Sequence, residues 1–246
     1  MRRLGKVFKH LLFPPKCSAC GELLEWYTHT EPDALCPDCR KQWESEKLDT
    51  CGICAKRVTE CECLTAELEK AKCKSFRKLV FYQHGKGERV QNRLIFHMKK
   101  QNDRQTPHFL ASELLPMLPA LTAVDGQAVL TYVPRARTTA LKYGTDQALE
   151  LANALSELSG LPCEKLISRH ARNHVAQKEL SPAERLRNAK ETFYFSRRAE
   201  AKGKNVILID DIVTTGATAA TCVRLLRHAG AKAVFCIAVA SDDVNK

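Results

Sequence analysis

No apolar run in this 246-residue chain approaches the roughly 18 to 20 residues that a membrane-spanning helix requires. The amino-terminal segment also lacks a long apolar stretch followed by a small-residue cleavage site, so nothing in it reads as an export signal. Both absences point to a cytosolic protein. The pattern G-x-x-x-x-G-K-[ST], with which many nucleotide hydrolases hold phosphates, occurs nowhere, which sets that class aside. Aromatic residues are sparse, at 7% with two tryptophans, and they form no ladder beside the basic stretches. Base stacking along single strands is therefore not written into the chain. Acidic residues are outnumbered, 28 against 39 lysines and arginines, for a net charge of +11. That excess favours a polyanionic or phosphorylated partner.

What the chain has in quantity is cysteine, unevenly spread. Of the 12 cysteines, those between Cys17 and Cys63 fall in "CSAC", "CPDC", "CGIC" and "CEC", while Cys73, Cys163, Cys222 and Cys236 stand singly. In a secreted chain the cluster would read as a disulfide framework. Without an export signal it reads as a structural zinc module. A Cys-x-x-Cys turn presents two thiolates together, and two such turns complete a tetrahedral site. Cys17, Cys20, Cys36 and Cys39 form one candidate set. Cys51, Cys54, Cys61 and Cys63, ending in Cys-x-Cys, form the second. Sequential pairing closes shorter loops than interleaved pairing and is the expected arrangement. Four-thiolate sites keep no open coordination position, so two Zn2+ ions would serve structure or an interaction platform rather than catalysis.

Ahead of the cysteines, "MRRLGKVFKHLLFPP" places Leu4, Val7, Phe8, Leu11 and Leu12 on one helical face and basic residues on the other, with Pro14 ending the helix. Such a helix packs on its own protein or touches an anionic surface, either DNA or the inner face of a membrane. From about Leu64 to Lys78 the chain reads as a charged, helix-prone connection, dividing it into a cysteine module at residues 1–66 and a second domain at 67–246. In the second domain, strand-like "LVFY", "AVLTYVP", "CEKLISR", "VILI" and "AVFCIAVA" are interspersed with helical "GERVQNRLIFHMKKQNDRQ" and "DQALELANALSELSG". This alternation predicts an α/β domain on a parallel sheet covered on both faces.

The chemistry concentrates in "VILIDDIVTTGATAATCVRLLRHAG". In a parallel sheet, ligands sit beyond the carboxyl ends of the strands, where "VILI" delivers Asp210 and Asp211. The turn of Thr214, Thr215, Gly216, Ala217 and Thr218 then stands at the positive end of the helix it opens, and Gly216 allows it to bend sharply. Amides and threonine hydroxyls suit a monophosphate, and two acceptor carboxylates suit the vicinal diol of a ribose. A divalent-metal or phospho-acceptor site would also use an aspartate pair, but neither needs the threonine loop.

"VILIDDIVTTGAT" resembles the phosphoribosyl pyrophosphate signature of type I phosphoribosyltransferases. Together with "LLFPPKCSACG", "CPDC", "CGIC", "VPRAR" and "QKELSPAERLRNAKETF", in that order, it resembles the ComF family of competence proteins over nearly the whole chain. The resemblance implies a parallel-sheet, type I phosphoribosyltransferase-like domain behind a small zinc-ribbon module. It implies that Asp210 and Asp211 act at the ribose hydroxyls, and that Thr214, Thr215, Gly216, Ala217 and Thr218 hold the 5'-phosphate. Arg135 and Arg137 would face the pyrophosphate, whose charge guanidinium groups suit. Mg2+ would accompany phosphoribosyl pyrophosphate and screen it as it leaves. The implied role is cytoplasmic uptake or processing of single-stranded DNA during natural transformation, with that DNA and competence proteins such as a DNA-translocating helicase as partners. The alternative is an active phosphoribosyltransferase of nucleotide metabolism. Where ComF relatives read close to Arg-Gly-Phe-Asn-Gln, this chain has "YGTDQ", keeping Gly144 and Gln147. Between Ser168 and Lys204 ten cations face four glutamates. This polar stretch is the candidate closing loop, and its charge suits either a solvated loop or a nucleic-acid surface.

Overall fold

The computed structural model describes residues 12–24, 34–82, 89–100, 104–122, 126–136, 140–141, 144–170, 192–196 and 199–242. The face expected at Leu4, Val7, Phe8 and Leu11 lies outside them. Helices α1 (Pro37–Glu46) and α2 (Ala66–Lys70) precede strand β1 (Phe76–Tyr82). Helices α3 (Val90–Lys100), α4 (Gln105–Leu114) and α5 (Leu118–Thr122) lead to β2 (Ala128–Tyr132) and α6 (Gln147–Ser159). The chain continues through β3 (Ile167–Arg169), β4 (Phe193–Phe195), β5 (Asn205–Val213), α7 (Ala217–His228) and β6 (Ala233–Asp242). The sheet order is β1-β6-β5-β2, every pair parallel, and β3 with β4 forms a separate antiparallel pair.

The parallel α/β architecture expected from the alternation is therefore present. Side chains alternate across each strand, so β5 and β6 supply two cores at once. Ile207, Ile209, Phe235, Ile237 and Val239 pack with α3, α4 and α6. Val206, Leu208, Val234, Cys236 and Ala238 pack with α2 and α7 on the other face. Burying each such aliphatic or aromatic side chain contributes about 1.5–3 kcal/mol. This double coverage is why "VILI" and "AVFCIAVA" are continuous apolar runs rather than alternating ones.

The structure differs from the sequence reading at three places. The strand expected at "LVFY" starts earlier, at Phe76, so Arg77 and Lys78 leave the predicted connection and join the sheet. Their charges misled the reading because Lys78 is buried and hydrogen-bonded to Cys61 Sγ and Cys63 O rather than solvated. "CEKLISR" is not one strand. Cys163 makes a parallel bridge to Leu130, Glu164 turns out to pair with Lys204 at 2.9 Å, and only Ile167–Arg169 forms β3. The single helical stretch read through "GERVQNRLIFHMKKQNDRQ" is divided, α3 ending at Lys100 and α4 starting at Gln105.

Helix α1 anchors the cysteine module to the helical layer of the sheet. Cys36 enters it in an extended conformation and Pro37 fills its first turn, where a missing N–H is harmless. Trp43 is fully buried and meets the Phe109 ring edge-on at 5.9 Å. Its indole N–H donates to Glu113 at 2.9 Å, and the same carboxylate accepts from Lys47 at 2.6 Å and Arg40 at 3.2 Å.

Candidate ligand site and metal centres

Strand β2 ends at Tyr132, opposite Ile209, whereas β5 continues beside β6 as far as Val213. Asp210 and Asp211 therefore lie on β5 itself, past the end of one neighbour, and not beyond the strand as expected. Continued pairing with β6 keeps the backbone extended through them. The Asp211 amide donates to Asp210 Oδ1 at 2.9 Å and the Ile212 amide to Asp211 Oδ1 at 2.8 Å, so main-chain donors orient both carboxylates. Adjacent strand residues point to opposite faces. Asp210 shares the α7 face, and Asp211 shares the face covered by α6.

The loop that follows is shaped by Gly216, which is buried, has φ 81° and forms the N-cap of α7 without a side-chain acceptor. Its backbone needs the left-handed region that glycine enters freely. No acidic residue occupies the first turn of α7, where the Ala217 amide donates to Thr215 Oγ1 at 3.4 Å, so the positive helix end suits an external anion. Thr214, Thr215 and Thr218 are exposed. A cleft of about 200 Å³ is lined by Val133, Asp210, Ile212, Val213 and the whole stretch from Thr214 to Ala219. The predicted carboxylate and the predicted phosphate loop are thus brought together, with Asp211 adjoining on the far face.

The turn after β2 comes to the same region. The Arg135 amide donates to Asp146 Oδ2 at 2.9 Å, and its guanidinium donates to the Thr145 carbonyl at 3.4 Å. Burial pushes the Asp146 carboxyl upward in pKa, the nearby Asp211 charge adds to this, and the Arg135 amide and guanidinium oppose it. Arg137 lies outside the described residues. Sequence reasoning missed Asp146, although a polar residue ahead of the "QALEL" helix is an N-cap signal. It also missed Arg169 as an individual. Half-buried over the Phe193 ring at 5.3 Å, Arg169 has its pKa lowered by burial, against the pull of Cys222 and Asp146. Ser168 and Ser196 share a hydrogen bond at 2.9 Å and His170 stacks on Tyr194 at 4.4 Å, so β3 and β4 form the stem of the expected closing loop. Residues 171–191, with Arg185 and Arg187, lie outside the described residues.

An open parallel sheet with carboxylates where one strand outlasts its neighbour, and an uncapped helix start beside them, belongs to the α/β proteins that hold ligands at strand ends. Residues 110–245 match the family model of the phosphoribosyl transferase domain, and the chain belongs to that family. It is 33% identical over 92 residues to the transcriptional regulator GfcR of Picrophilus torridus, covering 36% of this chain and 45% of that protein. It is 34% identical over 88 residues to the ribose-phosphate pyrophosphokinase of Pyrococcus furiosus, covering 36% of this chain and 26% of that enzyme. The chain thus spans less than half the length of these curated relatives. Among solved structures, adenine phosphoribosyltransferase from Leishmania tarentolae superposes with a TM-score of 0.37 at 16% identity, over 62% of this chain and 77% of that one.

The eight cysteines assemble into two tetrads in sequential order, Cys17, Cys20, Cys36, Cys39 and Cys51, Cys54, Cys61, Cys63, with the sulfurs of each all within 4.8 Å of one another. Cys20 Sγ and Cys36 Sγ are 3.7 Å apart, close to the edge of about 3.8 Å expected for a tetrahedron with zinc–sulfur bonds near 2.3 Å. The two turns share a design. Gly21 N–H donates to Cys17 O at 2.9 Å and Ala55 N–H to Cys51 O at 2.8 Å, both with positive φ. Burial works to raise the Cys51 thiol, but the Cys54 and Ile53 amides overcome it and bring it down to about 7. Cys63 is pushed up to about 12 by burial and by thiol neighbours. Four such groups ionise together only around a cation.

A dication with four thiolates leaves two net negative charges, and each tetrad has a cation from outside the cysteine-rich segment beside it. Arg93 donates to Cys39 Sγ at 3.7 Å. Lys78, only 1% exposed, donates to Cys61 Sγ at 3.2 Å and Cys63 O at 3.4 Å. The donor set and its charge compensation fit zinc. Elemental analysis of the purified protein should find about two zinc ions per chain, and Cys39→Ser should lose one while retaining the other. Retention of both ions by Cys39→Ser would contradict two separate four-thiolate centres.

Proposed function

We propose that the chain binds phosphoribosyl pyrophosphate with Mg2+ and uses that site in handling single-stranded DNA during natural transformation. The observation that carries the ligand is the cleft itself, where Asp210 and the loop from Thr214 to Thr218 line one space. In this reading the 5'-phosphate takes first-turn amides of α7 and the threonine hydroxyls. The ribose hydroxyls donate to Asp210 and Asp211, and Arg135 and Arg137 serve the pyrophosphate. Mg2+ enters with the pyrophosphate as part of the ligand. The relative named as a ribose-phosphate pyrophosphokinase supports a ribose phosphate as the ligand class. Calorimetry with phosphoribosyl pyrophosphate and Mg2+ tests the reading, and absence of binding by the wild-type chain would end it.

The DNA role is supported by the order of cysteine, "VPRAR" and "SPAERLR" segments shared with the ComF family and by the net charge of +11. Phosphate contacts release counterions, so affinity for single-stranded DNA should fall steeply with salt and should weaken when Arg185 and Arg187 become alanine. Fluorescence titration at several salt concentrations measures both, and salt-independent binding or none removes the DNA role. Membership of the phosphoribosyl transferase domain family also favours a transferase. In that case an acceptor nucleophile bonds to ribose C1 as the bond between C1 and the pyrophosphate oxygen breaks, pyrophosphate leaves with the electron pair, and nearby carboxylate oxygens stabilise the positive charge developing at C1. Pyrophosphate release that depends on an added acceptor distinguishes turnover from binding alone.

A further inference from the structure

We propose that Thr65 is a positioning residue for the phosphate loop and that the second cysteine tetrad, not the first, holds it in place. The proposal rests on the ribose-phosphate reading only for its binding arm. Its first support is steric. A Cβ on Gly216 would fall 2.1 Å from Thr65 Oγ1 and 3.2 Å from Thr65 Cβ, so Thr65 lies directly against the loop that opens α7. Thr65 is itself buried, and its hydroxyl accepts from the Leu68 amide at 3.3 Å as the N-cap of α2. Two residues before it stands Cys63, a member of the second tetrad.

A second support comes from the sheet. Lys78, which donates to Cys61 and Cys63, is in register with Ala238 on β6, and Ala238 is in register with Asp210 on β5. Register partners share a face, and two strand spacings amount to about 10 Å. The second tetrad therefore reaches both halves of the cleft: the loop through Thr65, and the Asp210 row through Lys78 and the small Ala238. The first tetrad joins the larger apolar core, against which Ile212 of the cleft also packs, but its hydrogen bonds among the described residues lead to the helical layer and not to the phosphate loop. It reaches α3 through Arg93 and, by way of α1, Glu113 on α4. An ion in the second tetrad fixes the chain from Cys61 to Thr65 and so fixes the wall against which Gly216 rests.

The test compares Cys63→Ser with Cys20→Ser, each expected to lose one metal ion, and adds Thr65→Ala, which leaves all the thiols in place. Hydrogen–deuterium exchange of the segment from Thr214 to Ala220 should quicken in Cys63→Ser and in Thr65→Ala, and should match wild type in Cys20→Ser. In calorimetry with phosphoribosyl pyrophosphate and Mg2+, Cys63→Ser should lose about tenfold in affinity, a usual size for coupled sites. Thr65→Ala should weaken binding with both metals retained, and Cys20→Ser should bind like wild type. Circular dichroism establishes that each variant is folded. Unchanged exchange in Cys63→Ser and Thr65→Ala, or equal loosening in Cys20→Ser, overturns the proposal. A wild type that fails to bind the ligand overturns the ribose-phosphate reading instead, and the exchange result still decides the role of Thr65.

Discussion

Replacing Asp210 and Asp211 together by asparagine is expected to abolish calorimetric binding of phosphoribosyl pyrophosphate while leaving the fold intact. Asparagine keeps the shape of each side chain and retains one acceptor for the Asp211 and Ile212 amides, which now bond to carboxylate oxygens at 2.9 and 2.8 Å. It replaces the other oxygen with a donor, where a diol needs acceptors. One charge-assisted hydrogen bond lost is worth about 1.5–3 kcal/mol, or about ten- to a hundredfold in affinity, and two are removed. Unfolding in urea should show a midpoint close to that of wild type. Equal binding by wild type and variant would show that these carboxylates do not hold the ribose.

The second large effect is expected from Gly216→Ala. The backbone at φ 81° disfavours any side chain by about 1–2 kcal/mol. The added methyl would also meet Thr65 Oγ1 at 2.1 Å and Leu68 Cγ at 3.4 Å, which brings the destabilisation to about 3 kcal/mol in total. Thr65→Ala alone should cost about 1 kcal/mol by removing the cap of α2. Combined, the two changes should be less harmful than their sum by at least about 1 kcal/mol, because removing Oγ1 makes room for the methyl. Urea denaturation of the four proteins gives this coupling. Strict additivity would mean that Thr65 and the loop do not press on each other.

The sequence exposed those parts of the molecule whose signals are local. Asp210, Asp211 and the loop from Thr214 to Thr218 sit in one contiguous stretch, and helix and strand periods announced the parallel sheet. The cysteine tetrads were legible for the same reason, since spacing alone sorts them. What stayed hidden depends on residues far apart in the chain. Lys78 reads as a solvated charge until Cys61 and Cys63 are folded over it. Asp146 matters through the amide of Arg135 and the charge of Asp211, neither of which its neighbours reveal. Cys73 and Cys236, read as solitary thiols, prove to be partners. Their hydrogen bond lowers Cys73 in pKa, with burial opposing, and raises Cys236, with burial adding to the effect. Single-residue periodicity could not have placed them side by side: the register of β1 on β6 sets Cys236 opposite Phe76, and backbone bonds from Cys236 N–H to Ser75 O at 2.9 Å and from Lys74 N–H to Val234 O at 2.8 Å bring the preceding Cys73 alongside.

That register has a consequence for how the protein is made. Strand β1 is the first to leave the ribosome, yet its only sheet partner among the described strands is β6, which emerges about 150 residues later. At translation rates of about 5–20 residues per second the wait is roughly 8–30 seconds. During it, "FRKLVFY" has both edges open to other nascent chains. The ligands of both tetrads have already been synthesised by then, and the second tetrad includes the sulfur that receives Lys78 from this same strand. A metal-loaded second tetrad would therefore cover the Lys78 face of β1 before the sheet exists.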